Sequence, residues 1–194
     1  MARKVMIVCG SPRKQGNTNR VVAWVAEAAR QAGADVEIVD APRLKYKVGG
    51  CIACMGCKKT DAYRCVIDDE ASPILARMPE FDAVVLATPI YWFGPTAQLK
   101  TFTDRMFSLV KFEDDRPVTP FTKTRFALIA TAGGGLDDGL SLVEQTWKTS
   151  AGLVGFPLET LLIPNAPSDP AEIEKDSDLK SRAAALGRKL AMPS

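Results

Sequence analysis

Histidine is absent from the 194 residues of this sequence. Its absence excludes the Ser-His-Asp and Cys-His arrangements of nucleophilic enzymes, and it excludes hydrolysis by a metal ion that histidine side chains bind. Five cysteines are present. A histidine-free chain with clustered cysteines points to thiolate chemistry, which includes iron–sulfur clusters, zinc sites and redox thiols.

Long apolar runs and long runs of one charge are absent as well. No apolar segment approaches the length of a membrane span, and 25 basic residues against 23 acidic ones leave a net charge of only +2. The apolar stretch at residues 5–9 is too short for the core of a signal peptide. We therefore expect a cytoplasmic protein that binds neither membranes nor nucleic acid, in a compartment that disfavours structural disulfides.

What is present is an alternation of short apolar segments with helical patterns. With 46% hydrophobic residues, the chain fits one domain, residues 1–194, with a full-sized core. The predicted strands are residues 5–9, 36–39, 83–87, 126–130 and 158–163. Helices between them predict a doubly wound α/β fold, in which two helical layers enclose a five-stranded parallel sheet.

Two of the predicted helices have definite limits. One runs over residues 95–110, after the third strand. The last begins at Asp169, because Asp169 is a typical N-cap, Pro170 fits the first helical position and Glu172 completes a capping box.

The loop after the first predicted strand, residues 10–18, has the composition of a phosphate site. It offers hydroxyl, amide and cationic side chains beside the free N–H groups of a helix start, at the sheet edge where ligands bind. The loop matches neither the Walker A pattern nor G-x-G-x-x-G, so a phosphate monoester fits better. The alternative is an ordinary solvated loop before a capped helix.

Two motifs, GSPRKQGNT and ATPIYWFGPTAQLKTFTDR, resemble the NADPH-dependent FMN reductase family of flavodoxin-like proteins. The resemblance covers roughly residues 4–155. It implies a flavodoxin-like sheet of strand order 2-1-3-4-5, FMN as the cofactor and NAD(P)H as a candidate co-substrate. It also implies a homodimer or homotetramer, with the flavin near a subunit interface.

The resemblance implies a role for each motif. In that family the first loop holds the FMN phosphate, the second segment lines the isoalloxazine ring, and a glycine-rich loop approaches the flavin from another side. The phosphate residues would be Ser11, Arg13, Gly16, Asn17 and Thr18. The ring-lining residues would be Pro89, Ile90, Tyr91, Trp92, Phe93 and Gly94. The residues of the glycine-rich loop would be Thr131, Ala132, Gly133 and Gly134.

The residue types suit this assignment. A flavin ring is flat and apolar, so it needs aromatic or backbone surfaces and glycines that allow close approach. The three consecutive aromatics, residues 91–93, could instead belong to the core or to a dimer surface.

Four cysteines follow a C-x2-C-x2-C-x7-C pattern within a loop insertion at about residues 45–68: Cys51, Cys54, Cys57 and Cys65. Three interpretations stay open. A [4Fe–4S] cluster needs four converging thiolates. Zinc sites made of four cysteines more often use two separated C-x2-C pairs. A redox-active thiol set needs only two of the four.

The same spacing resembles the iron–sulfur flavoprotein branch of the family, in which four such cysteines ligate a [4Fe–4S] cluster beside FMN. Because the loop follows the second strand, it leaves the sheet at the edge of the FMN loops. We therefore expect the cysteines to lie near the flavin of this subunit or of a partner. Cys9 ends a buried strand and is expected to be a core residue.

These observations predict an FMN-binding oxidoreductase that moves electrons from a reduced donor such as NAD(P)H to a small-molecule or redox-protein acceptor. No catalytic side chain is needed, because the flavin supplies the chemistry. One alternative is a non-enzymatic FMN and iron–sulfur electron carrier that serves a redox protein. Another is a flavin-free regulatory or structural domain with a zinc site.

Overall fold

A computed structural model describes residues 2–193 of the chain. Its strands are β1 (Lys4–Cys9), β2 (Asp35–Asp40), β3 (Ala83–Tyr91), β4 (Gly94–Pro95), β5 (Lys111–Glu113), β6 (Arg116–Val118), β7 (Arg125–Thr131) and β8 (Leu158–Ile163). The central sheet has the order β2-β1-β3-β7-β8, and neighbours in this series run parallel. The predicted order 2-1-3-4-5 is confirmed, with β7 and β8 as the fourth and fifth parallel strands.

The α-helices are α1 (Asn17–Gln31), α2 (Ala71–Arg77), α3 (Ala97–Thr103), α4 (Ser141–Val154) and α5 (Ser177–Ala191). Short 3-10 segments are Ala41–Arg43, Gly56–Lys58, Met78–Glu80, Asp104–Leu109 and Glu172–Lys175. Helices α1 and α5 bury their apolar faces on one side of the sheet, and α2, α3 and α4 pack on the other. This arrangement confirms the three-layer sandwich.

The strands are apolar on both faces because both faces are covered. Residues 5–9 and 83–87 are buried without interruption, as expected for central parallel strands under two helical layers. Helices α1 and α5 approach each other closely at Gly187, where a Cβ atom would lie 2.3 Å from the carbonyl oxygen of Val25. Only glycine permits this approach.

The structure corrects the limits of two predicted helices. The helix predicted at residues 95–110 is α3, capped by Thr96, followed by the tighter segment Asp104–Leu109, which directs Arg105 into the interior. The last helix begins at Ser177, where the Asp176 side chain accepts from the Leu179 N–H at 2.8 Å. Asp169 instead closes a turn, accepting from the Ala171 N–H at 2.9 Å.

Strand register brings three loops together at one edge of the sheet. Cys9 pairs with Ala87, and Pro89 pairs with Thr131. The first loop, the end of β3 and the glycine-rich loop therefore leave the sheet side by side. Among the described residues, no helix combines the length and the apolar character that crossing a bilayer requires.

Candidate functional site

The first loop is held in shape by hydrogen bonds within itself and to its neighbours. Gly10 donates to the carbonyl oxygen of Ala87 at 2.8 Å, and Thr96 Oγ1 donates to the carbonyl oxygen of Gly10 at 2.7 Å. The Asn19 side chain donates to the carbonyl oxygen of Arg13 at 2.7 Å. The loop is therefore shaped by the protein itself, before any ligand is present.

The N-terminus of α1 presents free backbone donors. Within the described residues, no side chain caps this helix, and its first turn contains no acidic residue. Backbone N–H groups at a helix start and the helix dipole together favour an anion. Buried Thr18 Oγ1 and Thr131 Oγ1 lie 2.7 Å apart, so that the start of α1 is fixed to the end of β7. This is the arrangement that a phosphate group needs.

One cleft of about 170 Å³ contains most of the predicted cofactor residues. Its lining includes all of the predicted phosphate residues, together with Pro89, Ile90, Tyr91, Thr131, Ala132 and Gly133. Trp92, Phe93, Gly94 and Gly134 do not line it. Gly134 instead accepts from the Asn165 N–H at 2.8 Å and supports the cleft from outside.

The cleft also contains three residues that the sequence interpretation missed: Ala166, Pro167 and Ser168. They follow β8, so their position after the last parallel strand was an available signal. Asn17 Nδ2 donates to the carbonyl oxygen of Pro167 at 2.7 Å, while the buried Asn17 Oδ1 has no donor within residues 2–193. An acceptor left over in the cleft suits a ligand with hydroxyl groups beside its phosphate.

The aromatic segment forms a tight turn between β3 and β4. Tyr91 pairs with Gly94, and the two residues between them, Trp92 and Phe93, have φ angles of 48° and 62°. Two positive φ angles are typical of a type I′ turn, which favours glycine or asparagine. Large aromatics in this conformation are strained, and such strain is found at functional sites.

The turn leaves the Trp92 and Phe93 side chains exposed to solvent, directly after Tyr91, which lines the cleft. Trp92 is 94% exposed, and Phe93 lies edge-on to it at 6.0 Å between ring centroids. Gly139 packs beneath the turn, where a Cβ atom would lie 2.7 Å from the Cα of Phe93. Sequence reasoning missed this glycine, which has a φ of 105°. The predicted role of these aromatics in ring binding stays a prediction.

The four clustered cysteines surround one small cavity. Cys57 and Cys65 are buried, whereas Cys51 and Cys54 are exposed on the outer side. All four line a cavity of about 20 Å³, room for about one water molecule. The backbone around the outer pair is strained, because Ala53 and Met55 have φ angles of 52° and 56°.

A buried ion pair holds the inner side of this loop. Arg105 Nη1 donates to both carboxylate oxygens of Asp69, at 2.8 and 2.7 Å, and both side chains are buried. Asp69 also accepts from the Ser72 N–H, and Ser72 Oγ donates to the carbonyl oxygen of Cys65 at 2.6 Å. This network connects Cys65 to α2 and to the segment that follows α3.

The network fixes the ionisation of both partners. Burial lowers the pKa of Arg105, but its hydrogen bonds to the Asp69 carboxylate and the negative charge of that group outweigh burial, so the pKa lies above its ordinary value. Burial raises the pKa of Asp69, but bonds from Arg105 and from backbone N–H groups outweigh it, and the pKa lies below its ordinary value. Both groups are therefore charged at neutral pH.

Two lysines connect the cysteine loop to the β5–β6 hairpin and to the residues just before it. Lys58 Nζ donates to the carbonyl oxygens of Phe107, at 2.6 Å, and Val110, and lies 3.5 Å from the centroid of the Phe107 ring. Lys111 Nζ donates to the carbonyl oxygen of Cys57 at 2.5 Å. Burial lowers the pKa of Lys58. Neither lysine was predicted to belong to this site.

The four cysteines supply the type of ligand that a [4Fe–4S] cluster uses, but the cavity that they line is smaller than such a cluster. Within residues 2–193, no three cysteine or acidic side chains lie close enough to hold a single metal ion. A [4Fe–4S] cluster has eight atoms and needs more widely spaced thiolates around a larger volume. The four cysteines line one cavity, and the two on its exposed side, Cys51 and Cys54, belong to a segment with positive φ angles at Ala53 and Met55.

The fifth cysteine has no part in this cavity. Cys9 is buried at the end of β1, and its Sγ donates to Asn19 Oδ1 at 3.1 Å. Burial raises the pKa of Cys9 to about 11. It is therefore a protonated core residue that supports the first loop.

The fold and the polar cleft at the carboxyl edge of the sheet define a flavodoxin-like α/β protein. Residues 3–166 match the model of the family described as NADPH-dependent FMN reductase. The chain belongs to that family.

Curated relatives include proteins named as iron–sulfur flavoproteins. One from Methanocaldococcus jannaschii is 35% identical over 102 residues, 53% of this chain and 51% of the relative. One from Methanosarcina thermophila is 33% identical, again over 53% of this chain and 51% of the relative. The chain therefore spans about half the length of these relatives. YwqN of Bacillus subtilis, named as an NAD(P)H-dependent FMN-containing oxidoreductase, is 28% identical over 73% of this chain and 74% of its own.

Solved structures share the fold over nearly the whole chain. An NAD(P)H:quinone oxidoreductase from Methanothermobacter marburgensis gives a TM-score of 0.74 at 18% identity, covering 98% of this chain and 100% of its own. An FMN-dependent NADH-azoreductase from Bacillus anthracis gives a TM-score of 0.73 at 14% identity, and the match covers 99% of this chain and 100% of the azoreductase chain. At these identities the likeness establishes the fold.

Proposed function

We propose that the protein is an FMN-binding oxidoreductase that transfers electrons from NAD(P)H to an acceptor. One observation supports this most directly: the cleft at the carboxyl edge combines the uncapped start of α1 with buried hydroxyls and Arg13. The family to which the chain belongs is described by this activity. When bound, FMN would supply the hydride and electron chemistry.

The protein's own residues would bind and orient the flavin. The α1 N-terminus, Ser11 and Arg13 would hold the phosphate, and Asn17 Oδ1 would accept from a ribityl hydroxyl. The cleft, about 170 Å³, is below the usual range of about 300–1,000 Å³ for whole small-molecule sites. The isoalloxazine ring would therefore extend from the cleft toward the turn at Trp92 and Phe93.

Steady-state oxidation of NADPH and NADH by the FMN-loaded protein tests the enzymatic activity, with a quinone or an azo dye as acceptor. Turnover with either nucleotide is the expected result. Tight FMN binding with negligible turnover would favour the non-enzymatic carrier, and failure to bind FMN would contradict the proposal.

We further propose that Cys51, Cys54, Cys57 and Cys65 hold a [4Fe–4S] cluster. The support is their position around one cavity and the similarity to proteins named as iron–sulfur flavoproteins. Cys54→Ala should abolish stable iron binding with little change in the stability of the metal-free protein, because Cys54 is exposed. Cys9→Ala is the matched control and should keep its iron. Equal iron in the two variants would contradict the assignment.

We also propose that the chain, as a single domain, self-associates through the surface beside α4. Leu136, Leu142 and Leu153 are exposed there, and an apolar cleft of about 360 Å³ lies between α4 and the segment Asp104–Leu109. Exposed apolar surface of this kind is typical of interfaces. Leu153→Glu should lower the mass measured by light scattering, and an unchanged oligomer would exclude this face.

A further inference from the structure

Two buried hydrogen-bond donors beside the clustered cysteines have no acceptor in the described part of the chain. They are Nε of Arg105 and Oγ of Ser108, both in the segment Asp104–Leu109. Arg105 is 1% exposed and Ser108 is 2% exposed, so bulk water does not reach them. Unpartnered buried donors are rare in folded proteins, and each one requires an explanation.

Both donors belong to side chains that line the cavity formed by the four cysteines. The other nitrogens of Arg105 are occupied, Nη1 by Asp69 and Nη2 by the carbonyl oxygen of Ile67 at 3.1 Å. The ion pair with Asp69 fixes the guanidinium, and the short helical segment fixes Ser108. The two side chains that carry this N–H and this O–H are therefore fixed beside a cavity that is otherwise lined by thiols and apolar groups.

We infer that Arg105 Nε and Ser108 Oγ donate hydrogen bonds to sulfur atoms of the group that the four cysteines hold. The inference rests on the proposed function, in which that group is a [4Fe–4S] cluster. Cluster sulfides and cysteine thiolates are negatively charged acceptors, so these two donors would find their missing partners when the cluster is present. Arg105 and Ser108 would thus be positioning residues.

Hydrogen bonds to cluster sulfur atoms make reduction easier, because they stabilise the added negative charge. The two donors would therefore raise the reduction potential of the cluster. They would also slow its loss. The competing acceptor is a single water molecule, for which the cavity of about 20 Å³ has room.

Ser108→Ala separates these explanations, with Ser72→Ala as the matched control. Both serines are buried next to the cysteine loop, but Ser72 Oγ already donates to the carbonyl oxygen of Cys65. Metal-free Ser108→Ala should be as stable to urea as the wild type or more stable, because the deleted hydroxyl had no partner. Metal-free Ser72→Ala should be less stable.

The cluster-loaded proteins provide the second readout. After anaerobic preparation with FMN, Ser108→Ala should shift the cluster midpoint potential to a more negative value. It should also release iron to a chelator about tenfold faster, the factor expected for one hydrogen bond to a charged acceptor. Arg105→Lys keeps the charge beside Asp69 but removes the fixed Nε–H, and it should shift the potential in the same direction.

Each outcome decides the inference. An unchanged potential and iron-release rate in Ser108→Ala, with normal FMN and iron, would overturn it while leaving the proposed function intact. A metal-free Ser108→Ala that is less stable than the wild type would show that water or protein already satisfied the hydroxyl. FMN without iron in the wild type would remove the sulfur acceptor and would overturn the inference together with the cluster assignment. Absence of both groups would contradict the proposed function as a whole.

Discussion

Two cavities of this protein are built by different means: the cleft lined by the predicted cofactor residues (the cofactor cleft) and the cavity lined by the four cysteines (the cysteine cavity). The cofactor cleft lies where β1, β3 and β7 end, and its shape depends mainly on backbone hydrogen bonds of the sheet and of α1, to which the Thr96 and Asn19 side chains add two bonds. The cysteine cavity lies in a long connection with little regular structure, and a buried ion pair and two lysines hold it in place. The first site is a product of the fold, whereas the second depends on a few side chains.

The largest expected effect on stability is at the buried ion pair beside the cysteine cavity. Arg105→Ala should lower the free energy of unfolding by about 3–5 kcal/mol, because it leaves the buried Asp69 charge without a partner. Arg77→Ala is the control, since Arg77 makes a comparable pair with Glu37 on the surface and should lose about 1 kcal/mol or less. Urea denaturation measures both. Equal losses would contradict the proposed importance of the buried pair.

The same pair predicts a pH dependence. The pKa of Asp69 lies below 3.8 in the folded protein, so the unfolded chain takes up the proton at a higher pH. The stabilisation that ionised Asp69 contributes is complete at pH values above 3.8, and it is lost as the pH falls through the lower pKa of Asp69 in the folded protein. Urea denaturation at pH values on both sides of 3.8 should show a shallower acid-side decrease for Asp69→Asn than for the wild type. Parallel curves would contradict this.

Near the cofactor cleft we expect a smaller loss of stability than at the ion pair, and its cause is a steric clash. Gly10→Ala would place a Cβ atom 2.4 Å from the Cβ of Leu99, which should cost about 1–3 kcal/mol. Gly49→Ala is the control, because no atom lies within 4 Å of its added Cβ. Thermal unfolding of the two variants would show whether β1 and α3 are as closely packed as this distance indicates.

Ligand binding at the cleft gives the smallest of the four effects. Arg13→Ala should weaken FMN binding about tenfold, through loss of one charge-assisted contact to phosphate. Lys14→Ala also removes one positive charge from this loop, but Lys14 does not line the cleft. The affinity of this variant for FMN should therefore change less. Titration of the FMN-free protein by flavin fluorescence compares them. Equal losses would indicate a general charge effect instead of a defined contact.

The position of the cofactor cleft could be predicted because it follows from topology. Apolar strands, a polar loop after the first one and a glycine-rich loop after the fourth are visible along the chain, and parallel strands bring their carboxyl ends to one edge. The residues missed there, 166–168, follow the fifth strand and obey the same rule. The turn at Trp92 and Phe93 was not predictable, since large aromatics rarely adopt positive φ.

The supports of the cysteine cavity could not be predicted in this way. Cysteine spacing identified the four thiols, but Asp69 and Arg105 are 36 residues apart and follow no periodic pattern. Arg105 belongs to a segment that the periodicity assigned to a regular helix, in which an arginine would be expected to face solvent. The tighter winding of Asp104–Leu109 turns it inward, and that change depends on the tertiary partner.

The proposed function is tested most directly by the absorption spectrum of the protein purified without oxygen, combined with FMN, iron and sulfide analysis of the same sample. We expect flavin bands with a broad iron–sulfur shoulder, and about four irons per chain, as a [4Fe–4S] cluster requires. A colourless protein without FMN or iron, even after both are supplied, would contradict it.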